Sequence, residues 1–309
     1  MFLEFIFSPL SGVEWMERKI KQRSFGTHSG SFHADEVTAC ALLLLFDQID
    51  REQIIRSRDL KELSTCDYVC DVGGIYAPEI RRFDHHQIDY HGTLSSAGMV
   101  LAYLKDQSIV ESGLFYYFNR CLVMGVDAID NGREMAGLGY CSFSAVIANF
   151  VPARHDVDRN TMDRGFSQAL DFAHGHLKRL LAKFDYIQEC KQVIKREMDK
   201  KEETLVFSQS MPWIESFFEL GGEHHPATFL IMPTESQWKL RGIPPSYEER
   251  MQVRVPLPQK WAGLIGDQLR DVSGISGAVF CHKGRFTSIW ETKEDALKAL
   301  GMILDKSVS

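Results

Sequence analysis

The chain has 309 residues, 44% apolar and 25% charged, ordinary proportions for a globular protein with room for two domains. Its formal net charge of -7 excludes a broad basic surface that coats nucleic acid, but not a local basic groove or a small anionic substrate held by metal ions. No apolar run approaches the roughly 20 residues that cross a membrane, and seven scattered cysteines point to a reducing cytoplasmic compartment rather than a disulfide framework. Cys40, Cys70 and Cys121 stand in apolar surroundings and read as buried thiols.

In chain order, residues 1–23 read as an N-terminal extension. Its apolar start carries Glu4 and no basic region, so it is a poor signal peptide, and Met16 is a candidate start. Residues 24–28 form a strand running into the loop Ser29-Gly30-Ser31. A helix follows from His33, with Asp35 and Glu36 in its first turn, where negative charge suits the dipole, and Val37, Ala41, Leu44 and Leu45 as an apolar stripe. Residues 53–57 and 68–72 are strand-like; the second is nearly all apolar, hence central, and Gly73-Gly74 ends it. This rhythm predicts a parallel sheet with helices on its faces. Helices follow at 95–105 and 111–126, then a loop at 151–160 and a long helix at 162–200. The charged segment 191–203 marks the edge of a first domain spanning 24–204. Beyond it, strands at 227–232, 237–240, 252–255 and 277–281 and helices at 261–271 and 293–304 describe a smaller α/β domain, 205–309. The fold class expected is α/β, with a doubly wound, mostly parallel sheet followed by that smaller domain.

Four separated segments offer imidazoles and carboxylates: His28 with His33, Asp35 and Glu36; Asp71; Asp84-His85-His86; and Asp127 with Asp130. Such a donor set suits one or two divalent metals. Asp71 and His28 fall where a strand gives out, the edge at which ligands gather in parallel sheets. Asp71 is the natural bridge between two ions; His28, His33 and Asp35 can serve either ion, His85 the second, and Asp130 or Asp127 adds one more carboxylate. Asp84 or a backbone carbonyl would fix the His85 tautomer. A water between two such ions loses its proton near neutral pH and becomes a nucleophile, and His86 can bind a phosphoryl oxygen or protonate the leaving group. Glu36 either completes the helix start or orients a ligand. Lys283 and Arg285 either hold substrate phosphates or form a solvated hairpin, and His224-His225 reads as a surface turn before a substrate contact.

The motifs His28-x4-His33-Ala-Asp35-Glu36, Asp71-Val-Gly-Gly74, Phe83-Asp84-His85-His86-Gln87 and Val126-Asp127-Ala-Ile-Asp130-Asn-Gly132 occur in this order, with Leu257-Pro-Gln-Lys-Trp261 and Ser273-Gly-Ile-Ser-Gly277 later. Together they resemble the Myg family of predicted metal-dependent hydrolases, within the DHH phosphoesterase superfamily, over about residues 24–300. The resemblance implies a DHH-like catalytic domain with a dinuclear Mn²⁺-type site and a C-terminal domain that closes over substrate. It implies His28, His33, Asp35, Asp71, His85 and a fourth-motif Asp as ligands, Asp130 matching the position better than Asp127, with His86 on the substrate. Eukaryotic members are described as RNA exonucleases. The expected function is therefore a metal-dependent phosphoesterase, a 3′–5′ exoribonuclease type acting on short RNA or a nucleotide. A phosphatase or pyrophosphatase is the alternative, and a non-catalytic metal- or nucleotide-binding protein the third reading. Fe²⁺, Zn²⁺ or Mg²⁺ could replace Mn²⁺ on the same donors. No membrane partner is expected; the long helix offers a surface for a homodimer, with oligomeric state left open.

Overall fold

The computed structural model describes residues 19–135 and 137–305. The expected start at Met16 and most of the expected extension lie outside them; the first strand already begins at Lys21. The chain divides between Phe184 and Asp185 into two compact units.

In the first unit, strands β1 (Lys21–Thr27), β2 (Ile54–Arg56), β3 (Cys66–Cys70), β4 (Tyr76–Ala77) and β5 (Arg82–Phe83) form a sheet of order β2-β1-β3-β5-β4. All pairs are parallel except the short edge pair β4–β5. Its helices are α1 (Ala34–Leu45), α2 (Leu60–Leu63), α3 (Ser96–Asp106), α4 (Ser112–Phe118), α5 (Met124–Asp130) and α6 (Phe143–Ala148), followed by the start of α7 (Arg159–Met198). Residues 34–43 of α1 are all buried, because the helix lies between the sheet and other helices rather than showing one apolar stripe to a core. Phe25, Tyr68 and Phe83 from the sheet pack with Leu42, Leu101, Phe118 and Leu170 in one core. Short α2 packs beside β3. A π-helical turn, Asn119–Val123, joins α4 to α5 where a single helix was expected. This is a mostly parallel α/β sheet of the expected class. Cys121 is exposed rather than buried, since it lies on the outer face of that π turn.

Strand order explains where a site forms. The chain leaves β1 for β2 on one side and returns across it to β3 on the other. The carboxyl ends of β1 and β3 therefore diverge into a crevice, the usual binding place in open parallel sheets.

The second unit holds β6 (Thr204–Val206), β7 (Phe229–Pro233), β8 (Trp238–Gly242), β9 (Ala278–Cys281) and β10 (Thr287–Trp290) in the order β6-β7-β8-β10-β9. Only β6–β7 is parallel. Helices α8 (Ile214–Glu219), α9 (Asp267–Ser273) and α10 (Lys293–Leu304) complete it. The expected edge at 204 falls inside this unit. The last turns of α7 supply Cys190, Ile194 and Met198 to a core with Leu205, Phe207 and Phe217, so the charged run 191–203 is the wet face of a packed helix end, not a linker. Two other expectations change. Residues 252–255 form bends rather than a strand, and Arg254 there gives its guanidinium to the carbonyls of Gly222, His225 and Ala227. The helix expected from 261 starts at Asp267, since Gly263 and Gly266 both hold positive φ (78° and 53°) that breaks a helix. Strand β10 carries no expectation from sequence, yet Trp290 on it is wholly buried.

Candidate metal centre

Three parallel strands end in three site segments. Thr27 closes β1 and His28 follows; Cys70 closes β3 and Asp71 follows; Phe83 closes β5, and Asp84, His85 and His86 follow. Asp71 sits in the left-handed region (φ 57°), which Asp tolerates better than most residues, and Gly73 and Gly74 continue the turn at φ 105° and 67°. The chain thus turns away from the sheet while the Asp71 carboxylate stays in the crevice, buried at 5% exposure. Helices provide the rest. His33 caps α1, and its backbone N–H donates to both Glu36 carboxylate oxygens at 3.0 and 3.1 Å. Asp35 is fully buried, accepts from the backbone N–H groups of Ser96 (2.9 Å) and Ala97 (2.6 Å), and lies 2.5 Å from the Ser95 hydroxyl oxygen. Asp130 ends α5.

The side chains converge in three overlapping groups: His28, His33, Glu36 and Asp71; Asp71, His85 and His86; and Asp35, His85 and Asp130, with the ligating atoms of each group within 4.8 Å of one another. Asp71 belongs to two of them, and so does His85. The His28 Nε2 lies 3.2 Å from both Glu36 Oε1 and Asp71 Oδ2. The His85 Nε2 lies 3.0 Å from Asp130 Oδ2 and 3.6 Å from Asp71 Oδ1. Burial alone would depress both imidazoles, but the facing carboxylates outweigh it. Asp71 and Glu36 raise His28 to about 10, and Asp130 and Asp71 raise His85 to about 11. Burial would raise Asp71, yet His28 and His85 hold it down at about 2. Asp35 is pushed well above the carboxylate range by burial and by the charges of Asp71 and Asp130.

The centre has unpaired atoms. Asp71 Oδ1 and His85 Nε2 are buried without a hydrogen-bond partner. An unsatisfied buried carboxylate oxygen facing an unsatisfied imidazole nitrogen is costly unless something else binds there. Four carboxylates and four imidazoles around such atoms form a donor set that fits a divalent metal.

Several expectations shift in detail. Asp84 does not steer His85. Its carboxylate accepts from the Gly74 N–H (2.6 Å), from the His86 N–H (3.1 Å), and lies 2.8 Å from His86 Nδ1. His85 is instead oriented by Asn131, whose Oδ1 lies 3.2 Å from Nδ1 while its amide donates to the Asp127 carbonyl. The sequence shows Asn131 next to Asp130 but gives no sign of this role. Asp127 is not in the ligand groups. Its Oδ1 accepts from the Ser95 N–H (3.1 Å), the Ser95 hydroxyl (2.7 Å) and the Gly98 N–H (3.1 Å), so it fastens the start of α3, three residues and nearly one helical turn from Asp130. Glu36 does both things considered for it, closing the helix start and facing His28. Lys283 and Arg285 lie in the β9–β10 turn of the second unit. The His224-His225 doublet is split: His224 is exposed at the end of a short turn, as expected, while His225 is buried.

His86 is exposed at 62% and lines a cleft of about 900 Å³ with His28, His33, Asp71, Asp130 and Arg58. The fold and these residues define an α/β protein with a carboxylate–imidazole cluster able to hold a divalent metal at the mouth of a parallel sheet.

The profile named MYG1_exonuc, described as an uncharacterised protein family (UPF0160), matches residues 24–303. The chain belongs to that family. It is 51% identical over 282 residues to the MYG1 protein of Chlamydia pneumoniae, covering 91% of this chain and 97% of that one. It is 31% identical over 317 residues to the MYG1 exonuclease of Homo sapiens, covering 88% and 83%. RecJ from Thermus thermophilus, solved with Mn²⁺, aligns over 92% of this chain at 11% identity and a TM-score of 0.26, a likeness too slight to place any residue. The chain spans about half that protein's length, 52%. Among the described residues, no helix is long and apolar enough to cross a membrane.

Proposed function

We propose that this protein is a metal-dependent exonuclease that hydrolyses phosphodiester bonds, removing nucleotides from the 3′ end of short RNA with two divalent ions, Mn²⁺ by preference. The observation that carries this reading is Asp71, shared by two donor groups with one oxygen unpaired, in a chain whose relatives include proteins named exonuclease. His28, His33, Glu36 and Asp71 would hold one ion, and Asp71, Asp35, His85 and Asp130 the other. When bound, the ions supply an activated water and neutralise charge on the phosphoryl oxygens.

The chain's own residues do the remainder. Asn131 Oδ1 accepts a hydrogen bond from the His85 Nδ1–H, which leaves the Nε2 lone pair aimed at the centre. Asp84 likewise occupies His86 Nδ1, so His86 offers Nε2 to the cleft, either to a phosphoryl oxygen or to a leaving oxygen as general acid. Seven unpaired cysteines support a reducing, cytoplasmic setting. The test is turnover of end-labelled short RNA beside pyrophosphate, with and without Mn²⁺, for the native protein and Asp71→Asn. Stepwise shortening that needs both Mn²⁺ and Asp71 is the expected result. Phosphate release from pyrophosphate with RNA left whole would move the protein to small phosphate compounds.

A further inference from the structure

A metal centre built from carboxylates can neutralise the phosphate it cleaves, but a nucleic acid carries others. Among the residues lining the cleft, Arg58 is the one Arg or Lys. The neighbouring acids are committed elsewhere. Asp71 faces His28, Asp130 faces His85, and Asp84 holds His86 and the Gly74 N–H. Asp59, beside Arg58 in sequence, caps α2 by accepting from the Lys61 N–H at 2.8 Å.

The backbone fixes where Arg58 stands. Ser57 N–H donates to the Thr27 carbonyl at 2.8 Å, which extends the β1–β2 ladder to the last residue before His28. Arg58 therefore leaves the sheet at the same carboxyl edge as the ligands. Its Nε donates to the Ser29 carbonyl at 3.3 Å. Two residues earlier, buried Arg56 donates to the Gly30 carbonyl at 2.6 Å and pairs with Asp163 at 2.7 Å. The two arginines pin consecutive carbonyls of the loop between His28 and His33. After the Nε contact, both Nη groups of Arg58 have no partner among the described residues, a free donor pair at a fixed place on the cleft wall. A guanidinium held in this way matches two non-bridging phosphate oxygens.

We propose that Arg58 binds a substrate phosphate next to the one being hydrolysed, and so selects chains of at least two phosphodiesters over a single diester. This rests on the nuclease reading of the same cleft. The test compares the native protein with Arg58→Ala and Arg58→Lys, in Mn²⁺, on a labelled short RNA and on bis(4-nitrophenyl) phosphate, which has no second phosphate. The KM for RNA should rise roughly tenfold or more in Arg58→Ala, the span of one charged hydrogen-bonding contact. The single diester should be far less affected, and Arg58→Lys should recover part of the loss, restoring charge without the fork. Equal losses on both substrates, or an unchanged KM for RNA, would overturn the proposal.

Fluorescence anisotropy of the same RNA, with Ca²⁺ replacing Mn²⁺, reads the contact apart from turnover. The slope of log affinity against log salt should be shallower by about 0.7 in Arg58→Ala, the value for one phosphate on a single strand. A native protein that does not cut RNA, but binds it with this slope difference, would remove the nuclease reading and keep the phosphate contact. Identical slopes would remove the contact.

Discussion

Two histidines with enclosed ring nitrogens, one in each unit, show how a structural imidazole differs from one that waits for a ligand. His225 in the second unit has both nitrogens occupied: Nε2 lies 2.8 Å from the Met198 carbonyl, and Nδ1 accepts from the Ala227 N–H at 3.1 Å. Arg254 then ties down the surrounding carbonyls. His85 in the first unit has only Nδ1 settled, by Asn131; its Nε2 is buried, unpaired, and faces Asp71 and Asp130. The closed network accounts for itself through hydrogen bonds. The open one collects negative charge around His85 Nε2, a place that the ring's own proton meets in the metal-free protein and that a metal ion can take over.

The sharpest way to break the contrast is to remove each imidazole. His85→Ala should reduce metal-dependent hydrolysis by more than about a hundredfold, beyond what loss of an outlying partner costs. The metal-free protein should also lose stability at neutral pH, because Asp130 and Asp71 lose the imidazolium they pair with, so the loss of hydrolysis is read on the folded fraction. His225→Ala should cost stability alone. It strands the Met198 carbonyl and the Ala227 N–H and should cost the fold about 1–3 kcal/mol in denaturant melts, with Mn²⁺ affinity unchanged. A His225 variant that loses metal, or a His85 variant that only unfolds, would erase the distinction.

Asn131→Ala probes the settled nitrogen of His85. It leaves every proposed ligand in place but frees the imidazole to turn. Mn²⁺ affinity by calorimetry should weaken by about 10- to 100-fold, while Asp127→Asn, which alters only the fastening of α3, should weaken it less. The smallest effect concerns pH in the metal-free protein. His28 is raised to about 10 by Asp71 and Glu36 against the opposing effect of burial. A raised imidazole contributes its full stability below its unfolded value, about 6.5, and loses it as pH climbs through 10. Stability in chelator should therefore fall between about pH 7 and 10, and His28→Gln should reduce that fall, leaving the part that His85, raised to about 11, contributes. Saturating Mn²⁺ should also flatten it, because a ligating imidazole is neutral at every pH in that window. A native profile without the alkaline decline would show that His28 is not paired as described.

The parallel sheet and the strand ends before His28 and Asp71 were legible in the sequence, the second because an apolar run stops at Gly73-Gly74. The two-residue strand β5 was not, since Arg82-Phe83 makes no apolar run, and His85 was readable from the Asp-His-His motif alone. The choice between Asp127 and Asp130 was not, since three residues on one helix can face the cleft or the neighbouring helix, and only the position of the Ser95 and Gly98 N–H groups decides. Asn131 and Arg58 were hidden for a like reason: each acts through contacts with residues tens of positions away, His85 and Ser29. The division at Phe184 was masked because α7 runs through it without a break in composition. His225 looked exposed because Gly221-Gly222 signals a turn, and nothing local shows that Met198 closes over it.

Anomalous diffraction at the manganese edge, from crystals of the native protein grown with Mn²⁺, tests the central claim most directly. The account predicts two peaks joined by Asp71, one among His28, His33 and Glu36, the other among Asp35, His85 and Asp130. A single peak not touching Asp71, or manganese elsewhere with this cluster empty, would contradict it.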